Sequence, residues 1–163
     1  MSIADLPQIL PLVILAAGAV FGMLTIAVRR SHVMVFVIAL VTLILALASL
    51  RVWIPADGEY ITALLRFDGY AIFFMGLLFS AAIAVVVMSY GYMRGRPIVR
   101  EEFYLLVLTA MLGCAVLVSS THFVSFFVGL ELLSVSLYTL IAYSRSRQID
   151  IEAGIKYLKQ GLQ

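Results

Sequence analysis

The sequence predicts an all-α membrane protein: a bundle of five transmembrane helices and the start of a sixth, with the N-terminus outside. Three observations carry that expectation. Hydrophobic residues make up 64% of the 163 residues and charged residues only 12%, against about 25% charged in an ordinary soluble domain. The apolar residues gather in five segments, Leu10–Val28, Val33–Leu50, Tyr70–Tyr90, Phe103–Ser120 and Phe123–Tyr143, in which the one charged residue is Glu131. The basic residues, finally, alternate between successive connections. Together these exclude a soluble enzyme, a nucleic-acid binder and a disordered chain, and residues 1–163 read as a single membrane domain.

Each segment is long enough to span. At about 1.5 Å rise per residue they reach about 27–32 Å, matching a hydrocarbon core of about 30 Å. A membrane β-barrel would instead show strands of about ten residues with alternating polarity, and the sequence has none. The first span follows no basic residue, Arg29 being the first. It therefore lacks the positive leader of a cleaved signal and is expected to be retained. Its Gly18 and Gly22 form a GxxxG pair, which lets helices approach closely and reads as ordinary packing. After the second span, Trp53, Pro55, Asp57, Gly58 and Glu59 read as an outside turn. Asp68 stands where it can cap the third span, and Asp150 where it can cap a further helix from Ile151. Glu101 and Glu102 open the fourth span, where acidic groups complement the helix N-terminus. Trp53, Tyr60, Tyr90, Tyr92 and Tyr143 lie near span ends, as interfacial aromatics do.

The connections set the orientation. Arg29 and Arg30 follow the first span, Arg94, Arg96 and Arg100 the third, and Arg145, Arg147, Lys156 and Lys159 the fifth. These hold nine of the eleven basic residues, leaving Arg51 and Arg66 on the other side. Basic residues stay cytoplasmic, so the N-terminus is expected outside and the tail inside, in a multi-pass protein of the cell (inner) membrane.

Redox and metal chemistry lack ligands. Cys114 is the single cysteine and sits inside the fourth span; His32 and His122 stand at span ends and are not paired on one face. With no CxxC and no HExxH, iron–sulfur, zinc and bis-histidine haem sites have nothing to hold them. Neither a phosphate-binding loop nor a nucleophile with a buried base is present. No cofactor or metal is expected on this chain.

Glu131 is the exception to the apolar interior. It is the ninth residue of its segment, within about one turn of the bilayer middle. An ionisable group there costs several kcal/mol unless it is protonated, paired or hydrated, so such a carboxyl is expected to face a bundle interior. Ser134 and Tyr138, three and seven residues on, share its face and supply hydroxyls along one stripe, with Phe127 and Val128 one turn before. Two readings follow, a proton-handling group or a neutral carboxyl that hydrogen-bonds a neighbouring helix.

The residues around it are familiar. Phe127–Val128–Gly129–Leu130–Glu131–Leu132–Leu133–Ser134, followed by Leu137–Tyr138, resembles the fifth-helix motif of the subunit N family of respiratory complex I, the proton-translocating NADH–quinone oxidoreductase. Asp68–Gly69–Tyr70–Ala71–Ile72–Phe73–Phe74, Ser89–Tyr90, Glu102–Phe103–Tyr104–Leu105–Leu106 and Glu152–Ala153–Gly154–Ile155–Lys156–Tyr157 extend the likeness from Asp68 to Tyr157. The first two spans agree in number and polarity only. The resemblance implies an antiporter-like, all-helical subunit that moves protons without a redox cofactor of its own, a non-redox part of a translocase. It further implies partnership with other membrane subunits in the lipid bilayer and with quinone bound elsewhere in the complex. In that family the fifth-helix glutamate, here Glu131, pairs with a buried lysine of the seventh helix. Lys156 falls at a lysine position of the sixth helix, near the cytoplasmic side, where it tunes proton entry. On the residues alone Lys156 reads as a snorkelling or positive-inside residue. Glu131 and Lys156 are the expected site residues.

Two positions depart from the family pattern. Position 136 is Ser where the family favours Pro, so a weaker or differently made kink is expected near Glu131. After Tyr157 the residues Leu158–Lys159–Gln160–Gly161–Leu162–Gln163 do not read as an apolar helix, and the lysine partner of Glu131 is expected to come from elsewhere, as in a fragment, a split subunit or a frame-shifted remnant. The alternative function is accordingly a truncated, non-transporting membrane scaffold or assembly subunit of such a complex.

Overall fold

The structure is a computed structural model, and it describes residues 9–52, 60–62, 64–93 and 101–145. Five helices occupy the five apolar segments: α1 Leu10–Val28, α2 His32–Val52, α3 Gly69–Met93, α4 Glu101–Ser119 and α5 Phe123–Arg145. All five are long and apolar enough to cross a membrane. Their ends fall where the sequence changes character. Pro11 occupies the first turn of α1, where its missing N–H costs nothing. The Ala71 N–H donates to Asp68 Oδ1 at 2.8 Å, making the cap of α3. Glu101 and Glu102 lie in the first turn of α4. The expected sixth helix with Asp150, the turn from Trp53 to Glu59, and Arg94–Arg100 lie outside the described residues.

The helices are not the whole architecture. A two-stranded antiparallel hairpin, β1 Tyr60–Thr62 and β2 Leu65–Arg66, joins α2 to α3, with Tyr60 opposite Arg66 and Thr62 opposite Leu65. The all-α bundle stands, with this short hairpin added between α2 and α3. Strands of three and two residues are too short to leave a polarity alternation in the sequence, so only the structure reveals them.

α4 is the hub, packing on α1, α2, α3 and α5, while α1 also packs on α2 and α2 on α3. Leu15, Leu43, Met75, Phe79, Tyr104 and Leu108 fill the space between them and are fully buried. The GxxxG pair of α1 works inside the chain. A side chain at Gly18 would run into Thr42 of α2, and one at Gly22 into Leu105 of α4. The outward faces carry large apolar groups instead of charges, among them Phe21, Met23, Phe73 and Met88. A surface of that kind is matched to lipid or to another apolar chain, not to water.

Hydroxyls within the helices satisfy themselves. Thr25 donates to the Phe21 carbonyl at 2.8 Å, Thr42 to Ile38 at 2.7 Å and Ser89 to Val85 at 2.6 Å, each one turn back. Inside hydrocarbon an unmatched hydroxyl is costly, and this back-bonding removes the cost locally.

Successive helices alternate in direction, and contacts at each end show which termini share a membrane face. At one face the guanidinium of Arg30, just after α1, meets the Glu102 carboxylate of α4 at 3.6 Å. His32 of α2 stacks on Tyr90 of α3 there, with ring centroids 5.1 Å apart and planes 2° from parallel. At the other face the Leu64 carbonyl beside the hairpin accepts the Thr121 N–H at 3.1 Å and the Ser125 hydroxyl at 2.8 Å. Leu65 bridges to Ser120. The hairpin thus fastens the start of α5 to the rest of the bundle.

Candidate functional site

α5 has two opposed faces. Ser125, Gly129 and Ser136 are buried against the bundle, and their spacing of four and seven residues keeps them on one side of a helix. Small residues let the backbones of α4 and α5 come together. A Cβ at Gly113 would lie 2.7 Å from the Leu133 backbone N, and one at Gly129 would lie 2.8 Å from the Leu117 backbone N. Close to this crossing the Ser136 hydroxyl lies 3.1 Å from Thr109 Oγ1 of α4 and 2.7 Å from the Leu132 carbonyl. The two helices therefore carry a polar contact between them as well as a close approach. α5 runs unbroken through position 136, so Ser in place of the expected Pro gives an uninterrupted helix.

This crossing yields a measurable expectation. The atoms that a side chain at Gly129 would strike are backbone atoms of α4, which cannot turn aside as a side chain can. Gly129→Leu is therefore expected to separate the helices and cost about 1–3 kcal/mol, read as earlier unfolding in detergent. Ser136→Ala should cost about 0.6 kcal/mol, the typical worth of one interhelical hydrogen bond in a membrane. Equal stability of Gly129→Leu and the parent chain would contradict the close crossing.

Glu131 lies on the other face. Two residues beyond Gly129, it is turned by about 200° from the α4 contact. It is exposed, as are Val124, Phe127, Val135 and Tyr138 on the same stripe, with Tyr138 70% exposed. Ser134 is half-buried beside them. The five helices bury the opposite face of α5, so the bundle interior expected around this carboxyl is not one they form by themselves. The physical reason is the Gly129–Gly113 crossing, which takes the close-packing side and leaves the bulkier residues outward. Among the described residues Glu131 has no ion pair.

Glu131 thus stands about 12 Å along α5 from its start, flanked outward by Phe127, Val128, Val135 and Tyr138. The stripe pairs one ionisable group with one phenol and one hydroxyl, a set able to accept, hold and pass a proton when a basic group or water is supplied. Lys156, the other expected site residue, lies outside the described residues. Sequence reasoning overlooked the Thr109–Ser136 contact and the Ser125 latch onto Leu64. Both were signalled by small polar residues in otherwise apolar spans, facing Gly113 and Gly129.

Comparison with known proteins shows what the chain resembles. The family model described as NADH:quinone oxidoreductase/Mrp antiporter, transmembrane, matches residues 120–162, including all of α5. NADH-quinone oxidoreductase subunit N of Ectopseudomonas mendocina (strain ymp) is 42% identical, over 92% of this chain and 31% of its own length. A chain of respiratory complex I from Thermus thermophilus, solved with bound Aureothin, superposes with a TM-score of 0.68 at 34% identity, over 93% of this chain and 33% of that one. The chain spans about a third of the length of each of these two relatives.

Proposed function

The chain is a relative of subunit N of NADH–quinone oxidoreductase over nearly its whole length, and on that premise we propose that it carries part of a proton path through Glu131. It does so as a non-redox membrane subunit of a translocase, with other membrane subunits as its partners and quinone bound elsewhere in the complex. The carrying observation is the position of Glu131, an ionisable group deep in a membrane helix on the face its own bundle leaves open. A carboxyl there is costly unless its charge is used or matched. The basic partner that matches it comes from a further helix laid along the Glu131, Ser134 and Tyr138 stripe. Lys156 serves proton entry from the cytoplasmic side. The test is the pumping ratio of an assembled complex carrying Glu131→Ala.

The reading includes an orientation in the cell inner membrane, with the N-terminus outside and Arg94–Arg100 in the cytoplasm, motivated by the split of basic residues between alternate connections. Single cysteines placed at Gly58 and at Gly95 are expected to react with an impermeant thiol reagent from opposite sides, Gly58 from outside. Reaction of both from the same side would sink this topology.

A scaffold reading draws on the broad apolar outward faces, which suit packing against neighbours. It differs in one measurable respect: in a pure scaffold Glu131→Gln leaves pumping untouched.

A further inference from the structure

A groove of about 450 Å³ runs between α2 and α3 on the outside of the bundle, away from α5 and Glu131. Leu47, Leu50, Phe73, Gly76 and Ser80 line it, and Arg51 stands at one end. We propose that this groove binds one anionic phospholipid, with an acyl chain along the groove and the phosphate on Arg51.

Three features select that occupant. The first is length. On α3 the lining runs from Ile72 to Ser80, about 12 Å at helical rise. That carries it from the membrane face where α3 begins to the middle of the span, close to the roughly 15 Å depth of one leaflet. The second is relief on the α3 side. Gly76 makes the room: the nearest atom to a Cβ built there is Leu50 Cδ1 at 3.9 Å, so a larger side chain would enter the groove.

The third is charge. Arg51 is in the last turn of α2 and exposed. Among the described residues it has no ion pair. In the orientation proposed above, on which this point rests, Arg51 and Arg66 lie on the side away from the other basic residues of the sequence. Basic residues on that face run against the usual bias, so a local anion gives Arg51 a reason to stand there. A lipid headgroup is an anion that also brings an apolar chain into the groove.

The test is native mass spectrometry of the purified chain in detergent, titrated with phosphatidylglycerol, with phosphatidylcholine of the same acyl chains, and with inorganic phosphate. One phosphatidylglycerol is expected to bind about fivefold more tightly than phosphatidylcholine, the preference one basic residue gives toward an anionic headgroup. Arg51→Gln should abolish the preference and Arg51→Lys should keep it. Gly76→Leu, which fills the groove and leaves Arg51 in place, should weaken both lipids together. Inorganic phosphate should displace neither. Equal binding of the two lipids by the parent chain would overturn the proposal. So would a preference surviving in Arg51→Gln, unchanged binding in Gly76→Leu, or displacement by phosphate alone, which would reveal an anion site without a chain groove.

Discussion

In an assembled complex, Glu131→Ala is expected to lower the number of protons pumped per quinone reduced while the complex still assembles. A positioned group that takes up and releases a proton typically accelerates transfer by 10²–10⁴, so transfer through this segment should fall by about tenfold or more. Assembly should be spared for a structural reason. Glu131 is on the outward face of α5 and takes no part in the Gly113–Gly129 crossing or the Ser136–Thr109 contact that hold α5 to α4. Glu131→Asp keeps the carboxyl but draws it back toward the helix, so partial activity is expected. Glu131→Gln keeps size and hydrogen bonding but not the titrating group, and should behave as Ala does. An unchanged pumping ratio in a fully assembled Glu131→Ala complex would make Glu131 structural and leave the scaffold reading standing.

How far the sequence reaches is clearest along α5. Its existence follows from hydropathy and length alone, as does that of the other four helices, and the expected ends fall within about three residues of the observed ones. The Asp68 cap and the close contacts of Gly18 and Gly22 follow from local residue chemistry. Which side of α5 turns inward does not. In a soluble helix the apolar stripe marks the buried face, but α5 is apolar almost all the way round, so hydropathy carries no direction. The membrane reverses the useful signal: small residues mark the contact face, and here those are Ser125, Gly129 and Ser136. The cost of Glu131 calls for a bundle interior but does not say which helices make it. Gly129 beside Gly113 turns it away from α4. The hairpin was hidden for another reason. Tyr60–Thr62 and Leu65–Arg66 are paired across a tight turn and tied to Ser120, Thr121 and Ser125 about sixty residues away, a tertiary arrangement with no local pattern.

The same geometry predicts that the chain reconstituted alone in liposomes carries no protons. Crossing about 30 Å of hydrocarbon requires a relay of groups or waters from one face to the other. Among the described helices Glu131 is the one charged side chain deep in a span, and the buried hydroxyls of Thr42, Ser119 and Ser136 are spent on carbonyls of their own helices. With its outward face against lipid and no basic group beside it, the carboxyl has no second site to exchange with. A carboxyl linked to no relay moves no net charge. Under an imposed pH gradient, vesicles containing the chain should therefore acidify no faster than empty vesicles, as read by an entrapped pH-sensitive dye. Adding a membrane partner that lays a lysine along the Glu131, Ser134 and Tyr138 stripe is the condition under which flux should appear. Flux from the chain alone that disappears in Glu131→Gln would overturn this expectation, because the five helices would then hold a complete path that their packing does not reveal.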